Sequence, residues 1–195
     1  LSGMLEVRGI QGHVAFPQLA DNPIRRFAPV LARLHEIEWD NGNAHFPPTS
    51  FQVVDLKSGV GAPNVTPGSL HARFNFRYST EWHYEALQKR VQAVLDEYDI
   101  DYQLDWHLSG EPFLTRPGDL IDAVSEAVRE QTGDQPELST GGGTSDGRFI
   151  SPAGVDVVEL GPVNASIHKV NEHVRVADVV ALTTMYQRIL ERLLL

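Results

Sequence analysis

Alternation of apolar and polar residues is the clearest pattern in the first part of the chain. In "SLHARFNFRYS", residues 69–79, every second side chain is apolar and those between are polar or basic, which predicts a strand with one buried face. Residues 22–39 and 83–98 instead carry apolar side chains at the spacing of amphipathic helices. Three further strands are predicted at residues 4–10, 50–59 and 101–109. The resulting order predicts a ferredoxin-like βαββαβ arrangement, an antiparallel sheet backed by two helices.

The second part, from about residue 110, has a different order of elements. Residues 116–133 predict a helix bounded by Pro117 and Gly133, the usual asymmetry of helix ends. Two strands and a last helix are predicted at residues 136–140 ("PELST"), 155–160 ("VDVVEL", of the buried type) and 177–194. The apolar face of this last helix is predicted to consist of Val179, Leu182, Tyr186, Ile189 and Leu193. These elements are typical of an α/β domain but too few for a good parallel sheet, so we expect partner elements to be missing.

Composition and charge limit the classes of function. The 195-residue chain is 42% hydrophobic and 22% charged, as in ordinary globular proteins, and its longest apolar runs are too short to span a bilayer. The formal charge of −10 argues against sequence-independent nucleic-acid binding, which needs clustered Lys and Arg. The absence of cysteine excludes disulfides and thiolate zinc sites, and together with the lack of a visible signal peptide it fits the cytoplasm. Any metal site must use His, Asp and Glu.

One polar stretch follows directly after the predicted buried strand. "NASIHKVNE", residues 164–172, contains His168 just past the expected carboxyl end of that strand, where α/β folds place their sites. A neutral imidazole is a common zinc ligand, but a lone His is more often a surface or core residue. Glu172 and His173 are close in sequence but have no characteristic ligand spacing with it. Spacing alone therefore indicates a His-based metal site whose other ligands are not identified.

Four further stretches contain candidate polar residues. "TGGGTSDGRF", residues 140–149, allows close backbone approach to an anion or carbonyl, or is a turn in which Asp146 caps a short helix. His13 in "GIQGHVAFP" and Asn64 in "GVGAPNVTPGS" are predicted to lie in loops. Arg77 shares the polar face of a predicted strand, which suits either a solvated surface or bidentate binding of a carboxylate.

Taken together, several of these stretches resemble one family. "GIQGHVAFPQLADNPIRR", "FNFRYSTE", "LSGEPFLTRPG", "TGGGTSDGRFI" and "ELGPVNASIHKVNE" are similar, in the same order, to the bacterial succinyl-diaminopimelate desuccinylases. These belong to the di-zinc aminoacylase and carboxypeptidase-like amidohydrolases. The resemblance covers essentially the whole chain. It implies that residues 1–110 form a lid, or dimerisation, domain and residues 111–195 the C-terminal part of an α/β zinc-hydrolase catalytic domain.

The resemblance also implies a reaction, a cofactor and a partner. The family hydrolyses N-succinyl-LL-2,6-diaminopimelate to succinate and LL-2,6-diaminopimelate in lysine biosynthesis, using two zinc ions per active site, with cobalt as a possible substitute. The implied partners are a second copy of the chain, through the lid domain, and the small anionic substrate, with no nucleic acid or membrane. His168 matches a zinc ligand, and His13 matches a lid residue that stabilises the oxyanion in the partner's site. The implied substrate-binding residues are Asn64, Arg77, Gly143, Thr144 and Asn164.

The sequence departs from the family pattern in three respects. The family's other four metal ligands and its general-base Glu lie upstream of the matching segment, so we expect this segment alone to be inactive. Phe16 stands where many members have Tyr, and His173 where many have Cys. Two alternatives therefore stay open: a non-catalytic dimerisation or interaction module, and a related amino-acid deacylase or carboxypeptidase.

Overall fold

The computed structural model describes residues 1–143 and 145–195, which divide into two compact units. The first unit is Leu1–Pro112 and the second is Phe113–Leu195. In the first unit the strands are β1 (Ser2–Arg8), β2 (Gly12–His13), β3 (Ser50–Ser58), β4 (Val65–Thr66), β5 (Ser69–Arg77) and β6 (Tyr102–His107). Its helices are α1 (Pro23–Glu36) and α2 (Tyr84–Glu97), with a 3₁₀ turn at Pro17–Leu19.

The main sheet of the first unit has four antiparallel strands in the order β3–β5–β1–β6. This confirms the predicted four-stranded antiparallel sheet with two helices. The alternation along β5 has the expected effect: its apolar side chains are buried while His71, Arg73 and Arg77 are exposed on the other face. The core under this face contains residues from β1, β3, β5, α1 and α2, among them Val7, Phe51, Phe74, Val30 and Leu87.

Helix α1 begins where its sequence signals place it. The Asn22 side chain accepts a hydrogen bond from the Ile24 N–H at 3.0 Å, and Pro23 follows in the first turn. Phe27, Val30 and Leu34 are buried as the periodicity predicts. Ile24 is the exception, since it lies on the exposed side of the first turn.

A buried polar cluster organises the long loop between α1 and β3. Asp40 accepts hydrogen bonds from the backbone N–H groups of Gly42 (2.7 Å) and Thr49 (2.9 Å) and from the Ser79 hydroxyl (3.4 Å). The Ser79 N–H in turn donates to the Thr49 hydroxyl at 3.2 Å. Desolvation alone would raise the pKa of Asp40, but these hydrogen bonds outweigh it and hold the pKa below its usual value.

A second, two-stranded sheet extends the ladder between β1 and β5. Arg8 pairs with Ser69 at the end of that ladder, and the Gly9 N–H donates to the Gly68 carbonyl at 2.8 Å. Beyond this point β2 pairs with β4, with His13 opposite Val65. The sequence did not predict this small sheet, because two-residue strands are too short to show alternation.

The second unit consists of helices and irregular segments. The helices are α3 (Asp119–Thr132), the short α4 (Gly147–Ile150) and α5 (Val176–Leu194), with a 3₁₀ turn at Ser151–Ala153. Helix α3 ends at Gly133, which has the left-handed backbone expected of a C-cap glycine (φ 84°). Its Ala123 and Ala127 pack against Met185 and Ile189 of α5. The predicted face of α5 is only partly right, since Val179, Tyr186 and Leu193 are exposed.

The two strands predicted in the second unit are wrong. Residues 136–140 and 155–160 are not strands, and Val155 is exposed rather than buried. A strand must pair its backbone groups with a neighbour, and the described part of this unit contains no other strand. At Val157 the Thr115 hydroxyl is the hydrogen-bond partner that a neighbouring strand would otherwise supply. It accepts from the Val157 N–H at 3.1 Å and donates to the Val157 carbonyl at 2.5 Å. The apolar run is therefore not paired with any strand in the described part of the chain.

No helix in the described part of the chain is long and apolar enough to cross a membrane.

Candidate functional site

The small sheet brings two of the candidate residues together. His13 on β2 and Asn64, directly before β4, have their Nε2 and Nδ2 atoms 3.5 Å apart. The Val14 N–H donates to the Asn64 carbonyl at 3.0 Å, so the backbones of the two segments are also joined. His13 is exposed, and its ring lies 5.8 Å from that of Phe16. The expected proximity of His13 and Asn64 is present in a single chain.

Backbone hydrogen bonds fix the conformation around His13. The Phe16 N–H donates to the His13 carbonyl at 2.9 Å, closing a turn over Val14 and Ala15. Inside this turn the Ala15 N–H donates to the His13 Nδ1 atom at 3.0 Å. Gly12 permits close packing beside the turn, because a Cβ atom there would come within 2.8 Å of the Ala20 Cβ. The orientation of His13 is therefore determined by its own loop.

Arg77 lies in the four-stranded sheet, at the end of β5 that is remote from the small sheet. It is the last residue of β5, paired with Ser50 of β3, on the exposed face that also carries Arg73. Ser69, at the opposite end of β5, is next to the small sheet that holds His13. At about 3.4 Å per residue, the length of β5 alone is roughly 27 Å. The first unit of one chain therefore does not bring Arg77 and His13 into one site.

The glycine-rich stretch of the second unit is only partly described. Gly143 is exposed, and a Cβ atom there would have no neighbour within 4 Å. Thr144 lies outside the described residues. A short helix does follow, as one reading of the sequence expected, but the Gly147 N–H is bonded by the Ser145 hydroxyl at 3.1 Å rather than by Asp146.

His168 lies in a compact loop of the second unit. The Ser166 hydroxyl closes the loop by donating to the His173 carbonyl (2.8 Å) and accepting from the His173 N–H (3.1 Å). The Glu172 carboxylate accepts from the His168 N–H at 3.3 Å. His168 has a left-handed backbone conformation (φ 59°). For a non-glycine residue this conformation costs about 1 kcal/mol or more relative to a right-handed one, and such strained residues cluster at functional sites. Asn164 begins this loop, and its carbonyl accepts from the Ile167 N–H at 3.1 Å.

The donor set around His168 does not amount to a metal site. Among residues 1–143 and 145–195, no group of three or more His, Asp or Glu side chains is arranged to hold a metal ion. Zinc in proteins is normally held by three or four protein ligands. The imidazole of His168 fits one ligand position, but the described residues do not fit a complete zinc site.

Sequence reasoning missed two features of the candidate site. It did not find the β2–β4 pairing or the hydrogen bond from Ala15 to His13, because both depend on main-chain geometry. The only available signals were the Gly-His and Asn-Val pairs flanked by turn residues.

A family model described as "Peptidase dimerisation domain" (M20_dimer) matches residues 1–103, more than half of the chain. The chain belongs to this dimerisation-domain family. The match includes His13, Asn64 and Arg77, so all three candidates of the first unit are part of the dimerisation domain.

The similarity to individual proteins extends beyond the dimerisation domain. A succinyl-diaminopimelate desuccinylase of Thioalkalivibrio sulfidiphilus (strain HL-EbGR7) is 60% identical over 194 residues, covering 100% of this chain and 52% of that protein. One from Alkalilimnicola ehrlichii (strain ATCC BAA-1101 / DSM 17681 / MLHE-1) is 58% identical with the same coverage. The chain is thus homologous to the desuccinylases over its full length, and it spans about half the length of the curated relatives it matches.

Solved structures share the fold at much lower sequence identity. The aminopeptidase PepT of Bacillus cereus ATCC 10987 has a TM-score of 0.77 at 19% identity, covering 98% of this chain and 51% of that chain. The M20 family metallo-carboxypeptidase Sso-CP2 of Sulfolobus solfataricus has a TM-score of 0.73 at 14% identity, covering 98% of this chain and 58% of that chain. At these identities the comparison establishes the fold alone.

Proposed function

We propose that the chain is one half of a cytoplasmic, homodimeric succinyl-diaminopimelate desuccinylase. The observation that carries the proposal is 60% identity over 194 residues to a protein of that name. The complete enzyme hydrolyses N-succinyl-LL-2,6-diaminopimelate to succinate and LL-2,6-diaminopimelate. Residues 1–110 act as the dimerising lid, and residues 111–195 belong to the catalytic domain.

The free edge of β3 supports dimerisation through the lid. Eight of its nine residues pair with β5, while Val54 is left out at a bulge. No described strand pairs with the other side of β3, which therefore offers backbone groups to a second strand. Val54 and Leu56 on this strand are 65% and 50% exposed. A copy of the same strand related by a two-fold axis would pair this edge and cover these apolar side chains.

The apolar residues 155–160, which pair with no described strand, support the assignment of the second unit to a larger domain. Residues 155–160 are not part of any sheet in the described structure, and Val155 is exposed. Val170 and Val176 are exposed by 92% and 80%. Apolar surface of this kind is what a unit presents when other elements normally pack against it.

Each candidate residue has a role that suits its chemistry. The guanidinium of Arg77 binds a substrate carboxylate, and His13 with Asn64 faces the oxygen of the scissile amide, where negative charge develops. Gly143, Thr144 and Asn164 contact the substrate. The roughly 27 Å between Arg77 and the small sheet exceeds the length of this substrate. We therefore assign His13 and Asn64 to the site of the partner chain and Arg77 to the other site of the dimer.

The cofactor of the complete enzyme is proposed to be zinc, two ions per site, with cobalt as a possible substitute. Zinc would supply a polarised carbonyl and an activated water. His168 contributes one ligand, while the described residues lack the others. No catalytic step is assigned to this chain through the metal, and the chain alone is expected not to hydrolyse the substrate.

The test uses a chimera of this chain with the part of the Thioalkalivibrio relative that lies outside the match, here called the completed chimera. Succinate release from N-succinyl-LL-2,6-diaminopimelate is measured for the chimera and for the chain alone. We expect activity in the chimera only. Arg77→Ala is expected to reduce kcat/KM by about 10- to 100-fold, the loss of a charged hydrogen-bonded pair. Arg73→Ala, on the same face of β5, is the matched control and is expected to leave kcat/KM unchanged.

Two outcomes would contradict the proposal. Hydrolysis of another acyl amino acid or a peptide, but not of the succinyl substrate, would favour a deacylase or carboxypeptidase. An inactive chimera that still dimerises would favour a non-catalytic interaction module. The latter alternative is supported by the match to a dimerisation domain and by the lack of a metal-holding group in the described residues.

A further inference from the structure

The turn around His13 determines which of its ring nitrogens carries a proton. The Ala15 N–H donates to Nδ1 at 3.0 Å, so Nδ1 must present its lone pair to that donor. A neutral imidazole has one N–H group, and the proton is therefore on Nε2. This assignment follows from the hydrogen-bond network, since a backbone amide can only donate.

The Nε2 end of the ring faces the side-chain amide of Asn64. The two nitrogen atoms are 3.5 Å apart, and two donors do not bond to each other. Rotating the Asn64 amide by half a turn exchanges its nitrogen and oxygen, which then accepts from the Nε2–H group. The Asn64 backbone is held in place by the hydrogen bond from the Val14 N–H (3.0 Å), so the amide stays within reach of the ring.

We propose that the Ala15 amide makes His13 an obligate Nε2–H donor and that Asn64 is the positioning residue that holds this donor before substrate binds and then yields it to the substrate oxygen. This inference deepens the proposed function and rests on it for the identity of the acceptor, the amide oxygen of the substrate. A neutral imidazole whose N–H is aimed in advance stabilises a developing oxyanion without taking a proton from water or substrate. His13 is thus a hydrogen-bond donor and not the general base.

Nuclear magnetic resonance on the 195-residue chain tests the tautomer without any assay of activity. A scalar coupling across the N–H···N hydrogen bond is expected between the Ala15 amide nitrogen and His13 Nδ1. The ¹⁵N shifts of the neutral ring are expected to be those of an Nε2–H tautomer. A ring with its proton on Nδ1, or a folded chain without the coupling, would overturn the proposal.

Two variants test the donor itself. Ala15→Pro removes the N–H group, and Ala15→Ser keeps it with a side chain of similar size. Loss of the coupling and a mixture of tautomers are expected for the first variant and the wild-type spectrum for the second. If Ala15→Pro does not fold, the wild-type coupling still decides the question.

The role of Asn64 is tested in two ways. In Asn64→Leu, which keeps the approximate shape but cannot accept a hydrogen bond, the Nε2 proton is expected to exchange with water at least about tenfold faster. In the completed chimera the same variant is expected to lower kcat by up to about 100-fold with KM little changed, while Asn64→Gln restores part of the loss. An unchanged exchange rate and an unchanged kcat would refute the positioning role.

Failure of this inference differs from failure of the proposed function. If the chimera hydrolyses the substrate but the ring carries its proton on Nδ1, only the tautomer proposal is wrong. If the coupling is present but the chimera is inactive, the tautomer is correct and the desuccinylase assignment is wrong.

Discussion

His13 and Arg77 lie beyond opposite ends of the β1–β5 ladder. The ladder runs from the Arg8–Ser69 pair to the Ser2–Asn75 pair; His13 follows the first of these and Arg77 the second. Both side chains are exposed, and both belong to the matched dimerisation domain. One dimerisation domain therefore carries two separated groups of candidate residues, which agrees with the proposal that these groups serve different sites of a dimer.

Mixing two impaired variants tests this separation. His13→Ala and Arg77→Ala are each expected to lower the activity of the completed chimera by about tenfold or more. In a mixed dimer, one site receives the intact His13 of one chain and the intact Arg77 of the other. Random exchange of subunits is therefore expected to restore about one quarter of the wild-type activity. Mixing His13→Ala with Asn64→Leu provides the control, since both changes affect the same group and neither mixed site is intact. No recovery in the first mixture would show that the two residues serve one site from the same chain.

Because the free edge of β3 is the proposed dimer contact, a charge placed on this edge is expected to weaken the dimer. Val54→Lys places a charge on the exposed edge strand and is expected to weaken the dimer by about tenfold or more, or about 1.4 kcal/mol, because charged edges oppose strand pairing. The measurement is sedimentation velocity over a range of concentrations. Met4→Lys is the matched control, since Met4 is also exposed but lies on the central strand β1. Equal effects of both substitutions would argue against dimerisation through β3.

Metal binding by the chain alone is expected to be weak. His168 supplies one imidazole, and a lone ligand does not retain zinc against a chelator. Titration calorimetry with zinc and metal analysis after gel filtration measure this directly. His168→Ala is expected to change zinc binding little in the chain alone but to reduce zinc content and activity in the completed chimera. Tight, stoichiometric zinc in the chain alone would contradict this expectation.

Gly12 is packed so closely beside the His13 turn that adding a side chain there is expected to lower the free energy of unfolding. Gly12→Ala introduces a Cβ atom 2.8 Å from the Ala20 Cβ, and relieving the overlap is expected to cost about 1–3 kcal/mol of unfolding free energy. Gly68→Ala is the control, because its nearest neighbour would be at an ordinary 3.5 Å. Urea denaturation compares the two variants. Similar stability of both would mean that the segment at Ala20 adjusts freely.

The pH dependence of stability is expected to involve Asp40. Hydrogen bonds to its carboxylate lower its pKa in the folded state, so the folded chain binds a proton there less readily than the unfolded chain. The resulting stabilisation is fully present above the unfolded pKa of about 3.9 and is lost as the pH falls through the lower folded value. Asp40→Ala is expected to cost about 1–3 kcal/mol at pH 7, and the cost should shrink below pH 4. Asp40→Asn retains an acceptor without titrating and should remove this part of the pH dependence. A cost that does not change with pH would exclude this role.

Local pattern was sufficient to predict the sheet and helices of the first unit. The alternation in residues 69–79 and the Asn22–Pro23 helix start appear in the structure where they were predicted, because each is set by neighbours in sequence. The same reasoning failed for residues 155–160, since an apolar run becomes a strand only if another strand pairs with it. Local sequence marked His13, Asn64, Arg77 and His168 as candidates, and the resemblance of short motifs supplied the roles expected of them.

The sequence by itself determined the order of elements in the first unit, the buried face of β5, the start of α1, the end of α3, and the family. The tertiary structure decided what is next to what: it paired β2 with β4, put Asn64 at the His13 ring, separated both from Arg77, and gave His168 a left-handed backbone. The physical reason is that helix and strand signals depend on side chains a few residues apart. These contacts instead join groups more than fifty residues apart in sequence, or close a loop on itself.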